Sequence, residues 1–258
     1  RMSRPLTAIR TPIGLVQMRV LPMGYTNSVA EFQRAVEIVL GDLQPLVAQN
    51  YLDDIVINTE KFKSDNDEIE DPITGIRPYV KTHIDWVIKV IDKLGRAGLA
   101  ISGKKSQFCM EKVDVLGFEI SKSGRKPADS KLEKLETWPE PKTVREVRGF
   151  LGFTGYNRIF IPDFATISKP LVELTKKETG FKWGEKEQSA FEKLKKLLTE
   201  SPILKTADFS NLTDRPLIIT TDASGEGMGA VLSQEDQDGR RHPIRYACLL
   251  YTSPSTRD

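Results

Sequence analysis

Hydrophobic and polar positions change their period several times along the chain, and each change predicts an element. Val16, Met18 and Val20 alternate with polar neighbours after a Pro12/Gly14 turn signal, so residues 6–20 read as a hairpin. Leu21-Pro22-Met23-Gly24-Tyr25-Thr26-Asn27 reads as a loop. From Ser28 the period becomes helical, with Val29, Phe32, Val36, Val39 and Leu40 recurring on one face. Ser28 and Glu31 have capping-box spacing, and Gly41 is the expected stop. Residues 46–58 read as two apolar strands meeting at an acidic corner, Asp53-Asp54.

Residues 59–80 are polar and contain two prolines and a glycine, which predicts an exposed loop or insertion. His83–Leu99 follows as an amphipathic helix with Ile84, Val87, Val90, Ile91 and Leu94 on one face. Gly103-Lys104-Lys105 is a basic turn, and Gln107–Ile120 is a second hairpin. Over 122–206 helical patterns dominate, at Asp129–Thr137, Thr143–Tyr156, Ile167–Thr175 and Glu185–Thr199, with Thr143 and Glu146 again at capping-box spacing. Strand patterns return over 216–234. From Cys248 onward no helical or strand period is legible, and Pro254 falls inside that stretch.

Composition narrows the classes. At 258 residues, 39% hydrophobic and 29% charged, the chain has the make-up of a globular protein. The net charge of +2 gives no general signal for nucleic acid, but residues 122–206 hold 18 Lys/Arg against 12 Asp/Glu. No apolar run approaches the roughly 18 residues of a membrane helix, and no leader pattern opens the chain. The expectation is an intracellular, unsecreted protein with no membrane partner. Cys109 and Cys248 are too few for a disulfide framework, and with His83 and His242 they do not make a zinc site.

The sharpest chemical feature is Tyr51-Leu52-Asp53-Asp54 between two apolar strands. Adjacent carboxylates repel each other, and a hard cation such as Mg²⁺ relieves that repulsion. Two-metal phosphoryl transfer needs carboxylates to hold ions about 3.5–4 Å apart. An isolated Asp-Asp pair is most often only a solvated turn; here its neighbours decide. Leu21–Asn27 and Ala30-Glu31-Phe32-Gln33 precede the pair. Gly103–Phe108 and Val115-Leu116-Gly117-Phe118 follow it. Five motifs in this order resemble the palm of reverse transcriptases, most closely those of gypsy-class LTR retrotransposons, and the resemblance spans about residues 6–247.

The resemblance implies an α+β chain: a partial reverse-transcriptase palm over 1–121, a helical thumb or connection over 122–178, and the start of a truncated ribonuclease H-like α/β domain over 179–258. It implies Asp53 and Asp54 as the metal-binding catalytic pair and Lys105 as a basic residue near the leaving pyrophosphate. Gly24, Tyr25, Phe32, Gln33 and Tyr51 would line the nucleotide and template site, and Leu116, Gly117 and Phe118 would grip the primer. Arg145, Arg148 and Arg158 are candidates for contact with a nucleic-acid backbone, although a charged helix face is usually just solvated. Thr221-Asp222-Ala223-Ser224 and Gly229–Gln234 resemble the entry to the ribonuclease H domain, with Asp222 as its first carboxylate and metal ligand. The cofactor so implied is Mg²⁺ at both sites, with Mn²⁺ as a substitute. The partners are an RNA or DNA template with primer, deoxynucleoside triphosphates, an RNA–DNA hybrid, and protease and integrase domains of a pol polyprotein. The compartment is cytoplasmic, in virus-like particles, and nuclear.

The sequence also departs from that family. Residues 1–20 contain no acidic residue to supply the third palm carboxylate, and no further ribonuclease H carboxylates are recognisable after Asp222. The expectation is therefore a fragment cut at both ends, inactive alone, whose residues 248–258 are a non-native junction. A decayed or co-opted retroelement copy that only binds nucleic acid is the alternative. Extension-free hybrid binding insensitive to Asp53→Asn would favour it.

Overall fold

The computed structural model describes residues 4–59, 75–176, 180–209, 211–223 and 227–250. It divides into two compact units, Arg1–Ser106 and Gln107–Asp258.

In the first unit a short hairpin pairs β1 (Ile9–Thr11) with β2 (Gly14–Val16). The alternation seen in sequence runs past it, but Met18 and Val20 lie outside the strand. Helix α1 (Ser28–Leu40) then leads to the antiparallel pair β3 (Ala48–Tyr51) and β4 (Asp54–Ile57), and α2 (Pro78–Arg96) closes the unit. Val36 and Leu40 of α1, Leu43, Val47, Ala48, and Val90 and Leu94 of α2 form one buried cluster. Ile55 and Ile57 pack against it, so one face of the β3–β4 hairpin rests on the two helices. Each such buried side chain contributes roughly 1.5–3 kcal/mol, which gives the hairpin a firm seat.

Two expectations change here. Helix α2 starts at Pro78, not His83, so residues 78–80 are not loop. Arg77 is extended and Pro78 occupies the first helical turn, where a missing N–H costs nothing. The rest of the expected insertion, residues 60–74, lies outside the described residues. Ser28 does not cap α1 either. Its hydroxyl donates to Pro22 O at 2.9 Å and ties down the preceding loop, while Asn27 takes the cap position without a side-chain bond.

In the second unit β5 (Lys112–Val115), β6 (Phe118–Ser121) and β7 (Gly124–Pro127) form an antiparallel sheet. The sequence suggested only the first two strands and gave 122 onward to helices. The third strand is short and polar and carries no alternation to read. Its start is fixed from outside, by reciprocal backbone bonds between Arg125 and Leu204 at 2.8 and 2.9 Å. Helices α3 (Asp129–Glu136), α4 (Val144–Tyr156), α5 (Phe164–Glu173) and α6 (Glu185–Thr199) follow. They share a core built on Leu135, Val147, Phe150, Leu171, Phe191 and Leu194. Helix α5 begins three residues earlier than its periodicity indicated.

The α4 start forms half of the capping box its spacing predicts, with Lys142 N–H in place of Thr143 N–H as the donor to Glu146. Glu146 N–H donates to Thr143 Oγ1 at 3.2 Å, and Lys142 N–H donates to the Glu146 carboxylate at 2.6 Å. Thr143→Ala is expected to cost about 1 kcal/mol, read as a lower urea midpoint at unchanged slope.

The chain ends in an antiparallel sheet of order β10–β9–β8, with β8 Ile218–Ala223, β9 Gly227–Glu235 and β10 Arg241–Leu250. Cys248, Leu249 and Leu250 pair with Gly229, Met228 and Gly227. The expectation that ordered structure stops at Cys248 is therefore wrong for 248–250. The period-2 signal is present there after all: Tyr246 and Cys248 are half-buried while Ala247 and Leu249 are exposed. Residues 251–258 lie outside the described residues. No described helix is long and apolar enough to cross a membrane.

Candidate functional site

The acidic corner is a tight hairpin. Tyr51 pairs with Asp54, leaving Leu52 and Asp53 as the turn. Leu52 adopts φ +56°, a left-handed conformation that costs a residue with a Cβ roughly 1–2 kcal/mol. Gln33 on α1 holds it there. Leu52 N–H donates to Gln33 Oε1 at 2.6 Å, and Gln33 Nε2 donates to Asn50 O at 3.2 Å. The same Nε2 donates to Glu37 Oε1 at 2.8 Å, which orients the amide. One side chain thus latches the turn to the helix beneath it. Gln33 was expected at the nucleotide and template site; its amide bonds the hairpin beside that position.

Asp53 and Asp54 are both exposed at this turn, and among the described residues no cation is bonded to either carboxylate. Two adjacent carboxylates without a partner offer hard oxygen donors of the kind that suits Mg²⁺. Among the described residues no group of three or more His, Cys, Asp or Glu converges on a metal position. Tyr51 and Leu52 line a cavity of about 480 Å³ with Thr26, Val29, Ala30 and Gln33. Gly24 has φ +79° in the loop leading to α1, and Tyr25 beside it is exposed. Phe32 packs against the core of its unit, as an ordinary helix residue would. Lys105 is exposed in a turn whose N–H donates to Ser102 O at 3.1 Å.

The second hairpin stands in the other unit. Val115 pairs with Phe118, and both turn residues are left-handed, Leu116 at φ +53° and Gly117 at φ +78°. That is the pattern of a two-residue turn matched to strand twist, in which glycine is at home and leucine is strained. Tyr156 at the end of α4 supports the strained residue. Its hydroxyl donates to Leu116 O at 2.6 Å, and its ring stacks on Phe118 with centroids 5.2 Å apart. Tyr156 was passed over in sequence because no periodic signal links a helix end to a turn forty residues earlier.

Arg145 and Arg158 are exposed. Arg148 is exposed too, but one of its guanidinium nitrogens donates to Thr175 O at 2.9 Å, so part of its capacity serves the helix packing. Asp222 is exposed on β8, opposite Gly229. Asp163 Oδ1 lies 3.6 Å from where a Cβ on Gly229 would sit. Cross-strand partners share a face, so a second carboxylate borders the face that carries Asp222.

Comparison with known proteins agrees with this arrangement. Residues 1–120 match the family described as reverse transcriptase (RNA-dependent DNA polymerase), and residues 183–256 match the RNase H-like domain found in reverse transcriptase. The second match crosses the expected break at 248, as β10 does. The Tf2-3 transposon polyprotein of Schizosaccharomyces pombe is 33% identical over 239 residues, which cover 93% of this chain and 16% of the polyprotein. Among solved structures, a foamy viral protease-reverse transcriptase in complex with double-stranded DNA superposes with a TM-score of 0.75 at 27% identity, covering 98% of this chain and 40% of that one. A foamy viral protease-reverse transcriptase in complex with an RNA/DNA hybrid gives 0.74 at 26% identity, covering 95% and 30%. The chain joins a reverse-transcriptase segment to an RNase H-like segment. Residues 1–120 are thus its reverse-transcriptase segment, and the chain spans about a sixth of the transposon polyproteins it matches.

Proposed function

We propose that the chain is the palm (1–121), thumb or connection (122–178) and beginning of the ribonuclease H domain (179–258) of an RNA-directed DNA polymerase of a gypsy-class LTR retrotransposon. The observation that carries this reading is the latched hairpin presenting two unpaired carboxylates. Asp53 and Asp54 would hold Mg²⁺, or Mn²⁺ in its place, at the polymerase site, and Asp222 would contribute to a second such site. The bound ion would polarise phosphate oxygens and offset the charge that develops in phosphoryl transfer. The chain's own residues do the placing. Gln33 holds the turn that carries the two exposed carboxylates, and Tyr51 lines the adjoining cavity.

The substrates of this reading are a primed RNA or DNA template and deoxynucleoside triphosphates, and an RNA–DNA hybrid for the ribonuclease H part. Protease and integrase domains would accompany it in a pol polyprotein. Its place of work would be cytoplasmic virus-like particles and the nucleus. The protein–DNA and hybrid complexes of the two foamy viral relatives support the nucleic-acid partner.

The test is Mn²⁺ titration followed by electron paramagnetic resonance. Asp53→Asn and Asp54→Asn are each expected to weaken the tightest site by roughly 10–100-fold, the range seen for losses around a metal ligand. Equal affinity in wild type and both variants would remove the hairpin as the metal site, and the proposed function with it.

A further inference from the structure

We propose that Lys131, which lies against Gly117, is a phosphate-binding residue for the nucleic-acid strand that crosses the 116–118 hairpin. The inference rests on the template–primer reading above and adds residues that reading did not contain.

Helix α3 is pinned to the hairpin at its first turn. Ala128 N–H donates to Gly117 O at 3.1 Å, and Lys131 N–H donates to Ala128 O at 2.8 Å. This places the Lys131 stem across the turn. A Cβ on Gly117 would lie 3.2 Å from Lys131 Cε and 3.9 Å from its Nζ. A Cβ at 117 would crowd that Cε, and the flexible end of the lysine would have to shift by a few tenths of an ångström. Gly117 thus does two things at once: it accepts φ +78° and it leaves the lysine stem uncrowded.

The neighbouring lysines are spent on carboxylates. Lys112 pairs with Glu119 at 3.1 Å, and Lys126 pairs with Asp129 at 2.8 Å and Glu119 at 3.6 Å. Lys131 is exposed and has no such partner among the described residues. It is a positioned cation without a protein anion.

The space beside it is shaped for a ligand. A cavity of about 270 Å³ is lined by Gly117, Lys131, Gly152, Phe153, Tyr156 and Asn157. Nothing stands within 4 Å of a Cβ position on Gly152, so that wall is open. Asn157 is only 3% exposed and donates through Nδ2 to Phe153 O at 2.9 Å. Its Oδ1 is buried and has no hydrogen-bond partner. With less than 1 Å² of accessible surface that oxygen lies behind the cavity wall, out of reach of an occupant. A free cation, aromatic walls and glycine gaps together suit a sugar-phosphate unit: its phosphate oxygens face Lys131, and its sugar lies over Gly152 and Tyr156. The excess of basic residues over 122–206 has the sign such a strand requires.

The experiment uses the 258-residue chain and a fluorescein-labelled DNA duplex with a recessed 3′ end, and measures Kd by anisotropy across a salt series. Each phosphate contact contributes a slope of about −0.9 in log affinity against log salt. Lys131→Ala is expected to shallow the slope by about 1 and weaken binding roughly fivefold at moderate salt. Lys131→Arg restores both. Replacing single primer-strand phosphates by neutral methylphosphonates should weaken the wild type at one position and leave Lys131→Ala unaffected there. An unchanged slope in Lys131→Ala, or equal responses of wild type and variant at every methylphosphonate, overturns the inference while the functional reading stands. A wild-type chain with no salt-dependent duplex binding overturns both.

Discussion

Gly124→Ala is expected to destabilise the second unit by about 4 kcal/mol, enough to remove most of a domain's margin. Gly124 opens β7 and is buried, with φ +131°. A Cβ there would stand 2.2 Å from Leu204 O and 2.9 Å from Leu204 C, both backbone atoms. A flexible side chain could swing aside, but this carbonyl accepts from Arg125 N–H while Leu204 N–H donates to Arg125 O, and Leu204 itself is fully buried. The alanine therefore carries two penalties: backbone strain of roughly 1–3 kcal/mol and overpacking of roughly 1–3 kcal/mol. Urea unfolding followed by tryptophan fluorescence reads the effect, because Trp138 and Trp183 both pack against the core of this unit. Gly239→Ala is the control. It has φ +74° and nothing within 4 Å of a Cβ, so only conformational strain of about 1–2 kcal/mol applies. Equal midpoint shifts in the two variants would show that the Leu204 collision is relieved by movement.

Gly124 also shows where sequence reading stops. In the string Ser121-Lys122-Ser123-Gly124-Arg125-Lys126 it is one more turn glycine, and β7 after it has no apolar alternation. Its importance comes from a carbonyl eighty residues away, which no local window contains. The same limit hid Tyr156 and Lys131. Elements whose buried face comes from one strong stripe, such as α1, α4 and α6, were legible because burial imposes its period on the residues themselves. The acidic hairpin was legible for a related reason: apolar strands on either side of two carboxylates leave few other local structures. The helix start at Pro78 was misplaced because proline both ends and begins helices, and its neighbours decide which. The end of β10 was missed because half-buried Tyr246 and Cys248 give a weak alternation that Pro254 obscures. At the candidate site, residue types pointed to the metal chemistry, while the division of labour between ligand and support emerged only from contacts.

Gln33 is the case where that division has the largest consequence, and Gln33→Leu is expected to loosen the hairpin and, with it, the metal site proposed there. The variant keeps the size and helix propensity of the residue but removes the acceptor for Leu52 N–H and the donor for Asn50 O. Unmet hydrogen-bonding groups in this half-buried position cost about 1–3 kcal/mol. The left-handed Leu52 then has less to hold it, and the turn relaxes toward conformations that no longer present Asp53 and Asp54 side by side. Amide hydrogen exchange over residues 50–54 should accelerate at least tenfold, the exchange equivalent of about 1.4 kcal/mol. Mn²⁺ affinity should fall about tenfold, as for other outer-shell supports of a metal ligand, with the global unfolding midpoint shifted far less than the local exchange. Gln33→Glu separates the two bonds. Its carboxylate still accepts from Leu52 N–H but gives nothing to Asn50 O, and it faces Glu37 four residues on, so an intermediate effect is expected. If exchange at 50–54 and Mn²⁺ affinity are both unchanged in Gln33→Leu, the hairpin holds itself and the latch has no role. If exchange rises while Mn²⁺ affinity stays, the latch supports the turn without supporting the ligands, and positioning of the two carboxylates must come from the strands alone.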